Sequence, residues 1–315
     1  MIKIDLIILG NGFDIAHNLP TTYTDFRDFL ERSQHLGFID IFERFSLSAH
    51  QELWSQFEEN LGKLDGTAIQ DEAFHTRNEF NDGFDYDVGN DCHIINFLEN
   101  KYYSDLSNLD EYVQQWVSEI DLHVTKAIND FKSLIDETSV IITFNYTLTL
   151  EEIYKISSTR IMHLHGSVKD QPIMGHGADT DGLCDNFLSS SYEDPDPLVE
   201  QFMTTFRQLF NNFYLSSTKN VEEFKKNLKN FILSQPTRIE RILVFGHSLG
   251  KPDRPYFEEI LRLLPMAVWV IFYYTEQDLE SMKAGLRNLD LKKCQFLSAS
   301  YLPIFVNENT FSLKT

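Results

Sequence analysis

What most constrains this chain is a set of six short, nearly uninterrupted apolar runs set among longer stretches of helical periodicity. The first lies in the opening segment MIKIDLIILGNGF. The others are Val140 to Asn145, Ile161 to His165, Ile242 to Phe245, Ala267 to Tyr274 and Cys294 to Leu297. They are rich in β-branched and aromatic residues and do not alternate polar with apolar positions. Strands of that kind are covered on both faces, the condition of a parallel sheet with helices on each side. The pattern predicts an α/β, Rossmann-like doubly wound fold with a mainly parallel sheet. Helices are expected at Tyr23 to Ser33, Leu148 to Tyr154, Tyr256 to Leu264 and Glu276 to Leu289.

Far more chain separates the first two runs than the dozen or so residues a crossover needs. It carries Leu53, Trp54, Phe57 and Leu61, then Val113, Trp116, Val117 and Ile120, at helical spacing. Residues 37–135 therefore read as a helical insertion. A second insertion, 186–235, places Phe202, Phe206, Leu209, Phe210 and Phe213 ahead of Phe224, Leu228, Phe231 and Ile232. The nucleotide-binding core is then 1–36, 136–185 and 236–315. From Asp65 to Asp91 acids far outnumber bases and Gly66, Gly83 and Gly89 punctuate the segment, so a solvated loop is expected.

Lys and Arg number 27 against 48 Asp and Glu, a net charge of −21. That excludes a duplex nucleic-acid binder working through a broad basic face, and any phosphate must be held by local donors. Cys92, Cys184 and Cys294 are too scattered for a disulfide framework or a Cys-rich zinc module, and they fit a reducing, cytoplasmic setting. No apolar run approaches the roughly 20 residues that cross a bilayer. The opening segment is too short and wrongly flanked for a secretion signal.

Four constellations fall where predicted strands end. In Gly10-Asn11-Gly12-Phe13-Asp14 the glycines let backbone approach a pyrophosphate, and exposed N–H groups can hold it without a cationic side chain. Ile15 stands where a dinucleotide fingerprint has its third glycine, and a plain tight turn is the competing reading. Thr143-Phe144-Asn145-Tyr146-Thr147 puts Asn145 at the carboxyl end of a strand, where α/β sheets bind ligands. Its amide orients a hydroxyl and a water, or else caps the next helix. His163-Leu164-His165-Gly166 sets two histidines two apart, on one face of an extended chain. With His176 they would make a three-His metal site; the reading preferred here is one histidine, His165, facing the crevice, and no metal. Gly246-His247-Ser248-Leu249-Gly250 matches a nucleophile elbow, but all 10 histidines lie at or before His247, leaving no base in the order that fold requires. Pro252 and Pro255 also keep a helix from following directly.

In chain order, NGFDIAHNLPTTYTDF, WSQFEENL, TFNYT, HLHG and FGHSLGKPDRPYF resemble the bacterial abortive-infection AbiH family. More distantly, the same landmarks are similar to the sirtuin-like superfamily. The first resemblance implies phage resistance. The second implies an NAD-binding core with Gly10 and Gly12 at the phosphates, Asn145 and His165 near the nicotinamide ribose, and Ser248 near the adenosine half. Cofactor contacts are then expected from Gly10, Asn11, Gly12, Phe13, Thr143, Gly166, Gly246, His247 and Ser248, and catalysis from Asn145, His165 and Asp14. Sirtuin deacylases carry a four-cysteine zinc module that three scattered cysteines cannot build, so protein deacylation is not implied.

The expectation is a phage-defence protein that binds NAD and hydrolyses its nicotinamide–ribose bond. Asn145 holds the water, His165 is the base, and Asp14 either stabilises positive charge or caps a helix. One alternative is a nucleotide sensor acting through a partner without catalysis; another is a metal-dependent hydrolase of nucleotides or nucleic acid. Expected partners are a dinucleotide, a phage-derived trigger or protein partner, and a second copy of the chain, with neither membrane nor duplex nucleic acid.

Overall fold

A computed structural model describes residues 4–48, 50–81, 93–97, 100, 104–177, 197–236, 238–287, 289, 291 and 293–306. They fall into two compact units, one of Met1–Thr22, Val117–Pro172 and Asn220–Thr315, the other of Tyr23–Trp116 and Ile173–Lys219.

The first unit holds all six expected strands: β1 (Ile4–Leu9), β2 (Val140–Thr143), β3 (Ile161–His163), β4 (Ile239–Phe245), β5 (Val268–Tyr273) and β6 (Cys294–Ser298). They form one sheet in the order β3-β2-β1-β4-β5-β6, every pair parallel. This is the Rossmann-like α/β fold the apolar runs predict, and its winding reverses between β1 and β4.

Successive side chains of a strand face opposite sides, and here both sides are dry. Leu6, Ile8, Ile142, Val244 and Trp269 pack with Leu228 of the helix Val221–Leu233 and Ile260 of the helix Arg254–Leu263. Ile7, Leu9, Ile141, Phe245 and Phe272 pack on the other face with Phe131 and Leu134 of the helix Asn129–Leu134. Each such side chain contributes about 1.5–3 kcal/mol by leaving water, so a charge at either parity of β1 would unseat the sheet.

The second unit is helical. Phe26 and Phe38 of the helices Tyr23–Arg32 and Leu36–Phe45 are buried, and Trp54 stacks on Phe57 at 5.3 Å between ring centroids. The expected acidic loop is overturned as far as Asn81, because Gly66–Asn81 is a helix. The Asp65 carboxylate accepts from the Thr67 and Ala68 N–H groups, both at 3.0 Å, and starts the helix. Ile69, Ala73 and Arg77 then recur every fourth residue, all buried. The acid count masks that stripe; residues 82–92 lie outside the described residues.

Candidate functional site

β1 and β4 run side by side and end level, Leu9 opposite Phe245. The two turns that follow are pressed together. Gly10 N–H donates to Phe245 O at 3.0 Å, Gly12 N–H to Gly246 O at 2.8 Å, and Phe13 N–H to Gly10 O at 2.9 Å. A Cβ on Gly12 would lie 2.7 Å from Gly246 Cα, and one on Gly10 2.6 Å from Gly246 O. Gly246 itself has φ 61°, and a Cβ there would meet the Phe13 amide nitrogen. The glycines thus close the switch point of the sheet, and the amides of Gly10, Gly12 and Phe13 are engaged within the protein.

A cleft of about 510 Å³ opens beside these turns, lined by Gly12, Ile15, Ala16, Gly246, His247 and Ser248 and, beyond β5, by Tyr274, Asp278, Ser281 and Met282. That volume suits a small-molecule moiety. Among the described residues no Lys or Arg lines the cleft, which favours an uncharged group over a phosphate. His247 Nδ1 accepts from Leu249 N–H at 2.9 Å and so steadies Leu249, a non-glycine residue at φ 57°. Its Nε2 faces Asp253 Oδ2 at 3.4 Å. His247 is therefore turned to its own loop rather than to Ser248, and the 3-10 turn Lys251–Asp253 intervenes before the helix. The elbow resemblance is one of sequence only.

On the other flank of the short helix Asn11–Ala16 lies a polar cluster. Asp14 is its fourth residue, while the N-cap position is Gly10, so Asp14 is not a cap. Its buried carboxylate accepts from Thr147 Oγ1 at 2.6 Å and Thr149 Oγ1 at 3.0 Å. Burial pushes the Asp14 pKa up to about 6, against the opposing pull of the Thr147 and Thr149 hydroxyls, the Asn145 side chain and the charge of His163. Asn145 receives no cap role either, since Leu148 occupies the N-cap of the helix Thr149–Glu152. The Asn145 N–H donates to Thr143 Oγ1 at 3.1 Å. Its amide nitrogen is buried with no hydrogen-bond partner, yet lies near enough to Asp14 to favour the charged carboxylate.

His163 Nδ1 is 2.9 Å from Asn145 O and its Nε2 is 3.0 Å from Glu151 Oε1. Both neighbours are acceptors, so the ring is held between two oxygens. Burial raises the Glu151 pKa, but the hydrogen bond and charge of His163 outweigh it and leave it below the usual carboxylate range. Thr147 also lines a second cleft, of about 370 Å³, with Glu119, Asp121, His123 and Glu152. Thr147, whose hydroxyl donates to buried Asp14, is therefore one of the residues that line a cavity.

Of the predicted site residues, Gly10, Gly12, Gly246, His247 and Ser248 gather at the switch point, and Asp14, Thr143 and Asn145 at the end of β2. The His165 ring lies 5.1–5.4 Å from those of Phe224, Tyr256 and Phe144. Gly166 turns the chain at φ 80° against Gln171 O. Phe13 is core, its ring 4.6 Å from Phe131, and Asn11 donates to Thr21 O at 2.6 Å. Sequence reasoning misses the parts played by Thr147, Thr149, His163 and Glu151; the one signal for Thr147, Thr149 and Glu151 is polar residues at alternate positions after Asn145.

His163 and His165 belong to the first unit and His176 to the second. The His176 ring nitrogens face Gly177 O and Tyr214 O. Among the described residues no three His, Cys, Asp or Glu are grouped to hold a metal ion, and no helix is long and apolar enough to cross a membrane.

No curated protein matches the chain. The family described as bacteriophage abortive infection AbiH matches residues 6–273. That span runs from within β1 to the end of β5 and takes in both glycine turns and the Asp14 cluster, and this chain belongs to the AbiH family of bacteriophage abortive infection proteins.

Proposed function

We propose that this abortive-infection protein binds NAD at the carboxyl ends of its central strands and hydrolyses the nicotinamide–ribose bond. One observation carries the reading: Asp14 and Asn145, far apart in sequence, share a buried polar cluster, with one cleft lined by Gly12, Ile15 and Ala16 of the helix that carries Asp14 and another lined by Thr147, whose hydroxyl donates to Asp14. The neutral cleft at Gly12 and Ser248 takes the adenosine half. The cleft with Glu119, Asp121 and Glu152 suits the cationic nicotinamide end.

In the reaction the C1′–N bond breaks with its electron pair passing to nicotinamide, which leaves neutral and needs no general acid. Asn145 orients the water whose oxygen bonds to C1′, and Asp14 takes the water's proton. A pKa of about 6 suits a base acting near neutrality, and such a base is worth about 10²–10⁴ in rate. The carboxylate also offsets the positive charge that develops on the ribose. Asp14 is preferred to His165 as base because Asp14 is the one that shares a cluster with Asn145; His165 then packs the wall formed with Phe144 and Tyr256.

Nicotinamide release from NAD, followed by chromatography, tests this. Asn145→Ala and Asp14→Asn are expected to abolish release while remaining folded. Wild-type rates in both would overturn the reading, and loss in a folded His165→Asn with Asp14→Asn active would move the base to His165. A sensing role without turnover is favoured by one feature, that no described member of the Asp14 cluster lines the adenosine cleft. NAD binding by calorimetry without nicotinamide release would select it.

A further inference from the structure

We infer that Asp278 makes the cleft beside Gly12 and Gly246 selective for an adenosine whose ribose 2′-hydroxyl is free, so that NAD is accepted and its 2′-phosphorylated form, NADP, is refused. The inference rests on the reading that this cleft holds the adenosine half.

Two large apolar side chains stand in solvent at its walls, Ile15 at 45 % and Tyr274 at 52 % exposure, with Met282 buried between the walls and the core. Exposed apolar surface facing a concave space suits a flat, weakly polar ring such as adenine. The polar side chains that complete the cleft are Ser248, Ser281, Asp278 and His247, the last already turned to Leu249 N–H and Asp253, with no Lys or Arg among the described residues of its lining.

Asp278 is held in place by a capping box. Its Oδ2 accepts from Thr275 N–H at 2.9 Å, and its own N–H donates to Thr275 Oγ1 at 3.1 Å. One carboxylate oxygen is thereby committed, and among the described residues none bonds the other. The positive end of the helix Glu276–Gly285, which would otherwise draw a phosphate, is countered by Glu276 and Asp278 in its first turn. The Tyr274 ring is half-exposed, and its phenol is pushed up first by the protein packed around its covered part and then by the Asp278 carboxylate, so the two side chains are neighbours on one wall of the cleft. A ribose diol donates hydrogen bonds to such an acceptor. A 2′-phosphate brings about −1.5 to −2 of like charge and no donor.

The test is calorimetric titration of wild type and Asp278→Asn with NAD, NADP, AMP and adenosine 2′,5′-bisphosphate. The asparagine oxygen can still accept from Thr275, so an unchanged melting temperature shows the cap intact. In wild type the two 2′-phosphorylated ligands are expected to bind about tenfold or more weakly than their counterparts, and in Asp278→Asn the gap should close to about threefold. Equal affinities in wild type, or a gap that persists in the variant, overturns the role of Asp278 even if NAD is bound and cleaved. AMP binding with the gap intact but no NAD binding keeps Asp278 and sinks the dinucleotide reading. Failure of all four ligands to bind sinks both.

Discussion

Removing the charge of Asp14 is expected to stabilise the protein above neutral pH, the reverse of what deleting a structural carboxylate does. The folded pKa of about 6 lies above the ordinary 3.8, a difference of 6 − 3.8 = 2.2, equivalent to about 3 kcal/mol. Between those values the folded protein keeps a proton that the unfolded chain has released. Stability from this group is therefore full below pH 3.8 and lost as pH rises through about 6. In Asp14→Asn the side chain cannot ionise, so the variant escapes the loss. The new amide's oxygen accepts from one threonine hydroxyl and its NH2 donates to the other, which has lone pairs to spare.

The sum over all groups would obscure this. Burial lowers the pKa of His17 and of His176 from 6.5, so both favour the folded state at high pH and undermine it as pH falls below 6.5. They are common to both proteins and cancel in the comparison. Urea unfolding of wild type and Asp14→Asn from about pH 3.5 to 8 should give nearly equal stabilities at the acid end and a lead of about 1–3 kcal/mol for the variant at the alkaline end. Parallel curves, or a variant weaker at every pH, would refute the claim that Asp14 is held charged against its surroundings. A gain in stability with loss of nicotinamide release would mark Asp14 as a group kept for chemistry.

Gly246→Ala is expected to lower stability by about 2 kcal/mol or more, since the new Cβ meets backbone at a left-handed residue. Gly250→Ala, where the nearest atom is Ser248 Oγ at 3.4 Å, should melt almost as wild type; equal losses in the two would dismiss the paired-turn account. In the helical unit, Lys219 Nζ bonds Glu58 Oε2 at 2.8 Å with its side chain fully buried. Lys219→Met should cost about 3–5 kcal/mol in chemical denaturation, and adding Glu58→Met should recover most of it; a single variant as stable as wild type would contradict the buried pair.

The sheet was legible because its strands are buried on both faces, so their apolar runs need no partner to be recognised. The site was legible only by halves, because each motif is completed by a distant segment. Gly10 and Gly12 announce a tight turn, but what they tighten against is Gly246, more than two hundred residues on. Asp14 stands out beside those glycines, whereas the hydroxyls that hold it are 133 and 135 residues away and no periodicity links them. The two histidines of HLHG show the failure most plainly. Residues two apart share a face only while the chain stays extended, and β3 ends at His163. Past that residue the backbone turns, reaching φ 80° at Gly166, so His163 goes to Asn145 and Glu151 and His165 to the aromatic wall. The glycine that makes His165 look exposed is needed for the bend, where a Cβ would strike Gln171 O. A histidine beside a glycine is thus as well explained by a turn as by a ligand.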